Sequence, residues 1–375
     1  MKKRKSWLLI LGFLVILAGC AEQKILERLS LTTLIGYDFG DEDGVNSTVI
    51  IRQINPEFQS NVVTISAHAK TSKGTREEIG LQTSKKVASG QLRVVLFGEE
   101  LAEEGIGQYL YNLLMNPEIS NGAYLSIVEE KAKDFLEYQY QNIPDISQHV
   151  FNLLKHNIEQ EKSTSSTLHE TARDYYSPNY ELVLPIIKRK EEVIELSGIA
   201  FFKKDVMVGR LPAEDIFYVK MIRDDYDKGT FELALDGENL TSVSTGDVPD
   251  KVPIALDAIN SKHKISLADK TTPEFDLTIK LNVRLTEIDQ AVQIEKKEAL
   301  QLLEKEISKK IEKELSRIIS YTQDINSDIF GFREYYDNHV RNAATDGEDR
   351  ETMYPSVKVN VHVTSKIIRD GVFGQ

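Results

Sequence analysis

Two runs of strict alternation with a long helical stripe between them constrain the fold of this chain more than any other feature. Leu277, Ile279, Leu281, Val283 and Leu285 alternate with Thr278, Lys280, Asn282 and Arg284, and Val357, Val359, Val361 and Val363 alternate with Lys358, Asn360, His362 and Thr364. A period of two puts the apolar side chains of a strand on one face, so each run predicts a half-buried strand, and the pair reads as parts of one antiparallel sheet. Between them Leu300, Leu303, Ile307, Ile311, Leu315 and Ile318 recur every three or four residues, which predicts a long amphipathic helix covering that sheet. The stripe is short for a dimerising coiled coil, and Glu306, Lys310 and Glu314 on its far face predict a solvated surface.

The rest of the chain mixes both periods. Residues 31–37, 47–54 and 62–70 read as strands around the turn Asp41-Glu42-Asp43-Gly44, and a helix is predicted over 75–89, closed by Gly90. The solid apolar run 92–97 predicts a buried strand. Helical patterns cover 99–115, 131–140 and 146–158, broken at Asn116-Pro117 and Asn142-Ile143-Pro144. The polar stretch 160–167 reads as a linker or surface loop. Strands follow at 181–188, 193–203 and 206–210, the last two forming a hairpin through Lys204-Asp205; then come a helix from Pro212 to 223 and a strand over 229–235. The expected class is α+β (mixed α/β), with more than one core at this length.

The amino terminus supplies an address. Lys2, Lys3, Arg4 and Lys5 precede an apolar run over 7–17, then Ala18-Gly19-Cys20. That order is the layout of a secretory signal peptide, and the run is too short to span a bilayer core of ~30 Å. Leu17-Ala18-Gly19-Cys20 resembles a bacterial lipobox, which implies cleavage between Gly19 and Cys20 and an S-diacylglyceryl, N-acylated Cys20. Cys20 is the chain's only cysteine. An exported protein with one cysteine forms no internal disulfide, and lipidation removes an oxidisable thiol. Two acyl chains anchor stably where one does so marginally. Loss of the four leader cations takes the formal charge of −13 further negative. With no basic run left, nucleic acid is excluded as a partner.

Signatures of chemistry are missing from the sequence. There is no G-x-S-x-G, H-E-x-x-H or G-x-x-x-x-G-K-[ST], and Gly105-Ile106-Gly107 lacks a third glycine in register. His68, His149, His156, His169, His263, His339 and His362 are dispersed, without ligand spacing, so neither a metal nor a cofactor is expected. Glu99, Glu100, Glu103 and Glu104 stand at a predicted helix start, where acids complement the dipole, and no catalytic role is assigned to them.

Three further segments carry a resemblance. The first is Ser84-Lys85-Lys86-Val87 with Gly90-Gln91-Leu92-Arg93 and on through Gly98-Glu99-Glu100-Leu101-Ala102-Glu103-Glu104-Gly105-Ile106. The second is Ser197-Gly198-Ile199-Ala200-Phe201-Phe202-Lys203-Lys204-Asp205 with Val208-Gly209-Arg210-Leu211. The third is Asp328-Ile329-Phe330-Gly331-Phe332, followed by the strand from Val357 towards Gly371. In this order they resemble the Ger(x)C family, the lipoprotein C subunits of nutrient germinant receptors in spore-forming bacteria. Where family members commonly carry tryptophans after the third segment, this chain has Tyr335, Tyr336 and Tyr354; Ile216-Phe217-Tyr218-Val219 replaces a leucine-rich run.

The resemblance implies a three-domain architecture with mostly antiparallel sheets: an N-terminal α/β domain over 20–190, a middle domain over 191–262, and a C-terminal domain over 263–375 holding the long helix. It implies a non-enzymatic subunit on the outer face of the spore inner membrane, beside integral membrane A and B subunits, with no catalytic residue and no cofactor. The alternative is a lipid-anchored extracytoplasmic solute-binding protein of a transporter. Such proteins are built from two doubly wound lobes with continuous apolar strands, unlike the alternating runs of the last third.

Overall fold

The computed structural model describes residues 29–40, 44–53, 61–178, 180–224, 226, 228–269, 273–289, 291–340 and 348–368. The leader, the Gly19/Cys20 position and residue 371 lie outside the described residues.

The first sheet uses β1 (Leu29–Phe39), β2 (Val45–Gln53), β3 (Asn61–Ala69), β4 (Lys86–Ala88), β5 (Val94–Gly98), β6 (Tyr124–Val128), β7 (Val183–Lys190), β8 (Val193–Lys203) and β9 (Val206–Pro212). Its order is β3-β2-β1-β5-β6-β7-β8-β9, with β4 beside the start of β1. The central strands β1, β5, β6 and β7 run parallel, and antiparallel hairpins flank them. Parallel strands need crossovers, and these place helices on both faces. One face packs under α1 (Ser72–Leu81), α2 (Glu99–Glu104), α3 (Gly107–Leu114) and α6 (Leu168–Tyr176) through Ile35, Val95, Phe97 and Ile127. The other packs under α4 (Ala132–Glu137) and α5 (Ile146–Glu159) through Leu34, Val94, Leu96 and Val128. Double coverage is the reason the 94–97 run is apolar at every position and fully buried.

The second sheet contains β10 (Gly229–Asp236), β11 (Lys251–Asp269), β12 (Glu274–Ile288) and β13 (Lys358–Ile367) in that order. Helix α8 (Lys297–Asp324) lies on it, and α7 (Ile216–Arg223), α9 (Phe332–His339) and α10 (Glu348–Ser356) complete the layer. Leu303, Ile307, Ile311, Leu315 and Ile318 are completely buried in one cluster with Phe275, Leu277, Ile279, Leu281 and Val283. Each such side chain contributes about 1.5–3 kcal/mol of transfer free energy.

The chain is thus α+β, and most of its strand pairs are antiparallel. The two alternating runs, however, pair with each other in parallel, Leu277 beside Val361 and Ile279 beside Val363. Alternation fixes the buried face but not the direction, and the long connection through α8, α9 and α10 returns the chain in the same sense. Glu306 is a second correction: it is buried, accepting from Asn239 Nδ2 at 2.7 Å, while Lys310 and Glu314 pair at 2.9 Å as expected.

Other boundaries shift for local reasons. The helix predicted over 75–89 stops at Leu81, where Gln82 N–H turns back to Ile79, and residues 86–88 pair with β1 instead. The pattern over 99–115 is two helices, because Gly105 has φ +128°. The polar stretch 160–167 is pinned down: Ser163, Thr164 and Ser166 are buried, and Ser166 C=O accepts from Leu125 N–H at 2.8 Å.

Candidate functional site

The last stretch of the first marker segment lies where β5 passes into α2. Gly98 has ordinary backbone angles, φ −60° and ψ 146°, so its size is what matters: a Cβ there would collide with Asp38 Oδ1. Asp38, at the end of β1, accepts from Ala132 N–H at 2.6 Å and Lys133 N–H at 2.8 Å, holding the start of α4. Burial pushes the Asp38 carboxyl above its usual range, against the pull of those two donors. Asp38 opens with Glu99, Glu100, Glu103, Glu129 and Glu130 onto an acidic crevice of about 350 Å³ at the carboxyl ends of β1, β5 and β6.

Glu99 is committed to structure. It pairs with Arg210 of β9 at 2.9 Å, and burial raises its carboxyl against that cation. The same two segments meet again one helix later. Ile106 N–H donates to Asp205 C=O at 3.0 Å and Gly107 N–H to Asp205 Oδ2 at 3.1 Å, so the hairpin turn of the second marker captures the donors left free where α3 starts. Lys204, beside it in that turn, has φ +59°. A Cβ on Gly107 would stand 2.7 Å from Asp205 Oδ2, which leaves glycine as the residue that fits.

The second marker also touches the third. Ser327 Oγ donates to Phe202 C=O at 2.6 Å, and Arg210 N–H donates to Tyr321 Oη at 3.1 Å. Asp328, fully buried, accepts from Phe332 N–H at 3.1 Å, Arg333 N–H at 2.8 Å and Arg333 Nε at 3.3 Å. Burial raises its carboxyl despite the guanidinium and the two N–H donors. Arg333 reaches on to Glu181 Oε1 at 2.8 Å, and Glu181 Oε2 accepts from Lys204 N–H at 2.6 Å. Gly331 sits in the left-handed region at φ +73°, and a Cβ there would lie 2.6 Å from Tyr180 Cζ. A second ion pair, Arg223 to Asp174 at 2.9 Å, runs alongside, with Arg223 Nη1 donating to Ile329 C=O.

Aromatic rings pack the underside of this seam. Phe332 stands edge-on to Phe275 and stacked over Tyr354, whose hydroxyl lies 2.7 Å from Thr322 Oγ1. Tyr354 thus fills a buried position, and Tyr335 and Tyr336 pack edge-on to Phe275.

The marker segments therefore converge, and what they build is a clamp joining the edge of the first sheet to α8 and α9. Asp205, Glu181 and Asp328 in it face cations and backbone donors. Among the described residues no three metal-ligating side chains come together. Sequence reasoning missed Glu181 and Arg333, the buried pair that ties the first sheet to the second unit; the available signal was an arginine directly after Asp328-Ile329-Phe330-Gly331-Phe332.

This order of strands and helices is shared with a solved structure. The crystal structure of the GerBC protein superposes with a TM-score of 0.54 over 89% of this chain and 97% of that one, at 16% identity. The family profile "Spore germination protein N-terminal domain" matches residues 22–189, and "Spore germination B3/GerAC like, C-terminal" matches 197–371. "Spore germination protein GerQC" of Bacillus cereus is 27% identical over 98% of this chain and 99% of its own length. The chain belongs to the Ger(x)C family of spore germination proteins.

Proposed function

We propose that this chain is the lipid-anchored, non-enzymatic C subunit of a nutrient germinant receptor. In this reading Cys20 carries the acyl groups and holds the body on the outer face of the spore inner membrane. The body works through contacts with integral membrane A and B subunits. The observation that carries the non-enzymatic role is the use of the marker residues and their neighbours: Asp205 and Asp328 of the markers, with Asp38 and Arg333 beside them, are spent on backbone donors and buried pairs that fix one part of the body against another. A rigid body of this kind suits coupling between membrane subunits. In this reading attachment falls to the lipid and to the partners; among the described residues no helix is long and apolar enough to cross a membrane.

Spores lacking the protein test this directly. They are expected to lose germination on one class of nutrient while still germinating with agents that bypass receptors. Normal germination on every nutrient, in a strain without a paralogue, would refute the proposal.

A further inference from the structure

The first marker segment holds Gln91 and Arg93, which the clamp does not use. Both line a cleft of about 280 Å³ at the amino end of the central strands, together with Thr33, Arg52, Ser147 and Gln148. The two guanidiniums come from different directions. Arg93 immediately precedes β5 and is exposed; it lies over the Phe151 ring at 5.2 Å and donates to Gln148 Oε1 at 3.3 Å. Arg52, opposite Leu31 in the β1–β2 pairing, binds Asp145 through Nη2, while its Nε is buried with no hydrogen-bond partner among the described residues. Asp145, the acid beside the cleft, is already engaged by Arg52, by Ser147 Oγ at 2.6 Å and by Gln148 N–H at 3.1 Å. The amino terminus of α5, 14 residues long, opens here and adds its partial positive charge.

We propose that this two-arginine cleft is an anion site and that it takes the phosphate of an anionic lipid headgroup. The choice of lipid rests on the reading of Cys20 as the anchor. Nine peptide steps separate Cys20 from Leu29, where β1 begins, and they span at most roughly 30 Å. The cleft wall is two to four residues further along β1, so the tether keeps it near the surface that holds the acyl chains. Lys86, exposed beside Leu29, adds a cation at the start of β1. The acidic crevice lies at the opposite end of the same strands, about 20 Å away along β1. A strongly acidic body thereby presents a basic end to anionic lipid and holds its carboxylates away from it.

The test uses the whole mature chain, residues 20–375 with Cys20→Ala, which carries no acyl group and so reads the cleft independently of lipidation. Co-sedimentation with phosphatidylglycerol vesicles is expected, with much less on phosphatidylcholine vesicles. Arg93→Gln should weaken it about fivefold, the effect of one cation near an anionic surface. Lys280→Gln, on the second sheet, should leave it unchanged, and circular dichroism should show both variants folded. Equal binding to both vesicle types, or equal loss in both variants, overturns the site. Calorimetric binding of inorganic phosphate, with displacement from vesicles at constant ionic strength, overturns the lipid assignment in favour of a free anion. Failure of Cys20 processing in cells would instead strike the anchor reading and leave this result standing.

Discussion

Replacing Arg333 with leucine removes the cation at the centre of the clamp. Its side chain is 8% exposed and its two partners, Glu181 and Asp328, are 8% and 0% exposed. Without it, Asp328 keeps the N–H groups of residues 332 and 333, and Glu181 keeps that of Lys204, so each carboxylate retains hydrogen bonds but loses its counter-charge. Breaking a buried pair from one side costs about 3–5 kcal/mol, most of it the uncompensated charge left behind. Urea denaturation followed by far-ultraviolet circular dichroism at pH 7.5 should show that loss. The loss should shrink on acidification. Burial already raises Asp328, and in the variant the guanidinium that opposed that rise is gone; its carboxylate therefore destabilises at high pH, and the penalty fades as pH falls through the raised value and is gone below about 4, the unfolded-state value. Paired with Glu181→Gln in a double-mutant cycle, the coupling energy should exceed about 1 kcal/mol. A loss below about 1 kcal/mol, independent of pH and uncoupled from Glu181, would show that the seam is not held by this pair.

Gly98→Ala leaves backbone angles any residue can adopt but drives a methyl into the Asp38 carboxylate; losing the two bonds to α4 should cost about 1–3 kcal/mol in the same assay, and a neutral outcome would mean the carboxylate relocates freely. Asp145→Asn tests the opposite pH sense. Although burial pushes Asp145 up, the bonds from Ser147 and Gln148 and the Arg52 guanidinium hold it below the usual carboxylate range. Its stabilisation is therefore complete above pH ~4 and lost as pH falls further, so wild type and variant should differ at neutral pH and converge in acid.

The long helix was legible because its stripe repeats over five turns, and β12 and β13 because their alternation is unbroken. What was not legible was direction, since a strand's pattern is the same read parallel or antiparallel. Strand β11 escaped notice although Val252, Ile254, Leu256 and Ala258 alternate. Pro253 within the run argues against a central strand, and the structure places it one residue beyond the end of pairing with β12. At the candidate site the marker strings were visible as strings. Their meeting was not, because Gly107 and Asp205 are 98 residues apart and nothing local to either announces the other.

The central claim is that lipid on Cys20 holds this body against its membrane partners. Intact-mass analysis of the protein from spore inner membranes, alongside a strain carrying only Cys20→Ala, tests it most directly. The account predicts a chain beginning at an acylated Cys20 in the membrane fraction. It predicts that the variant remains unprocessed or is released, with the nutrient response lost. An unacylated mature chain, or a full nutrient response from Cys20→Ala spores, would contradict it.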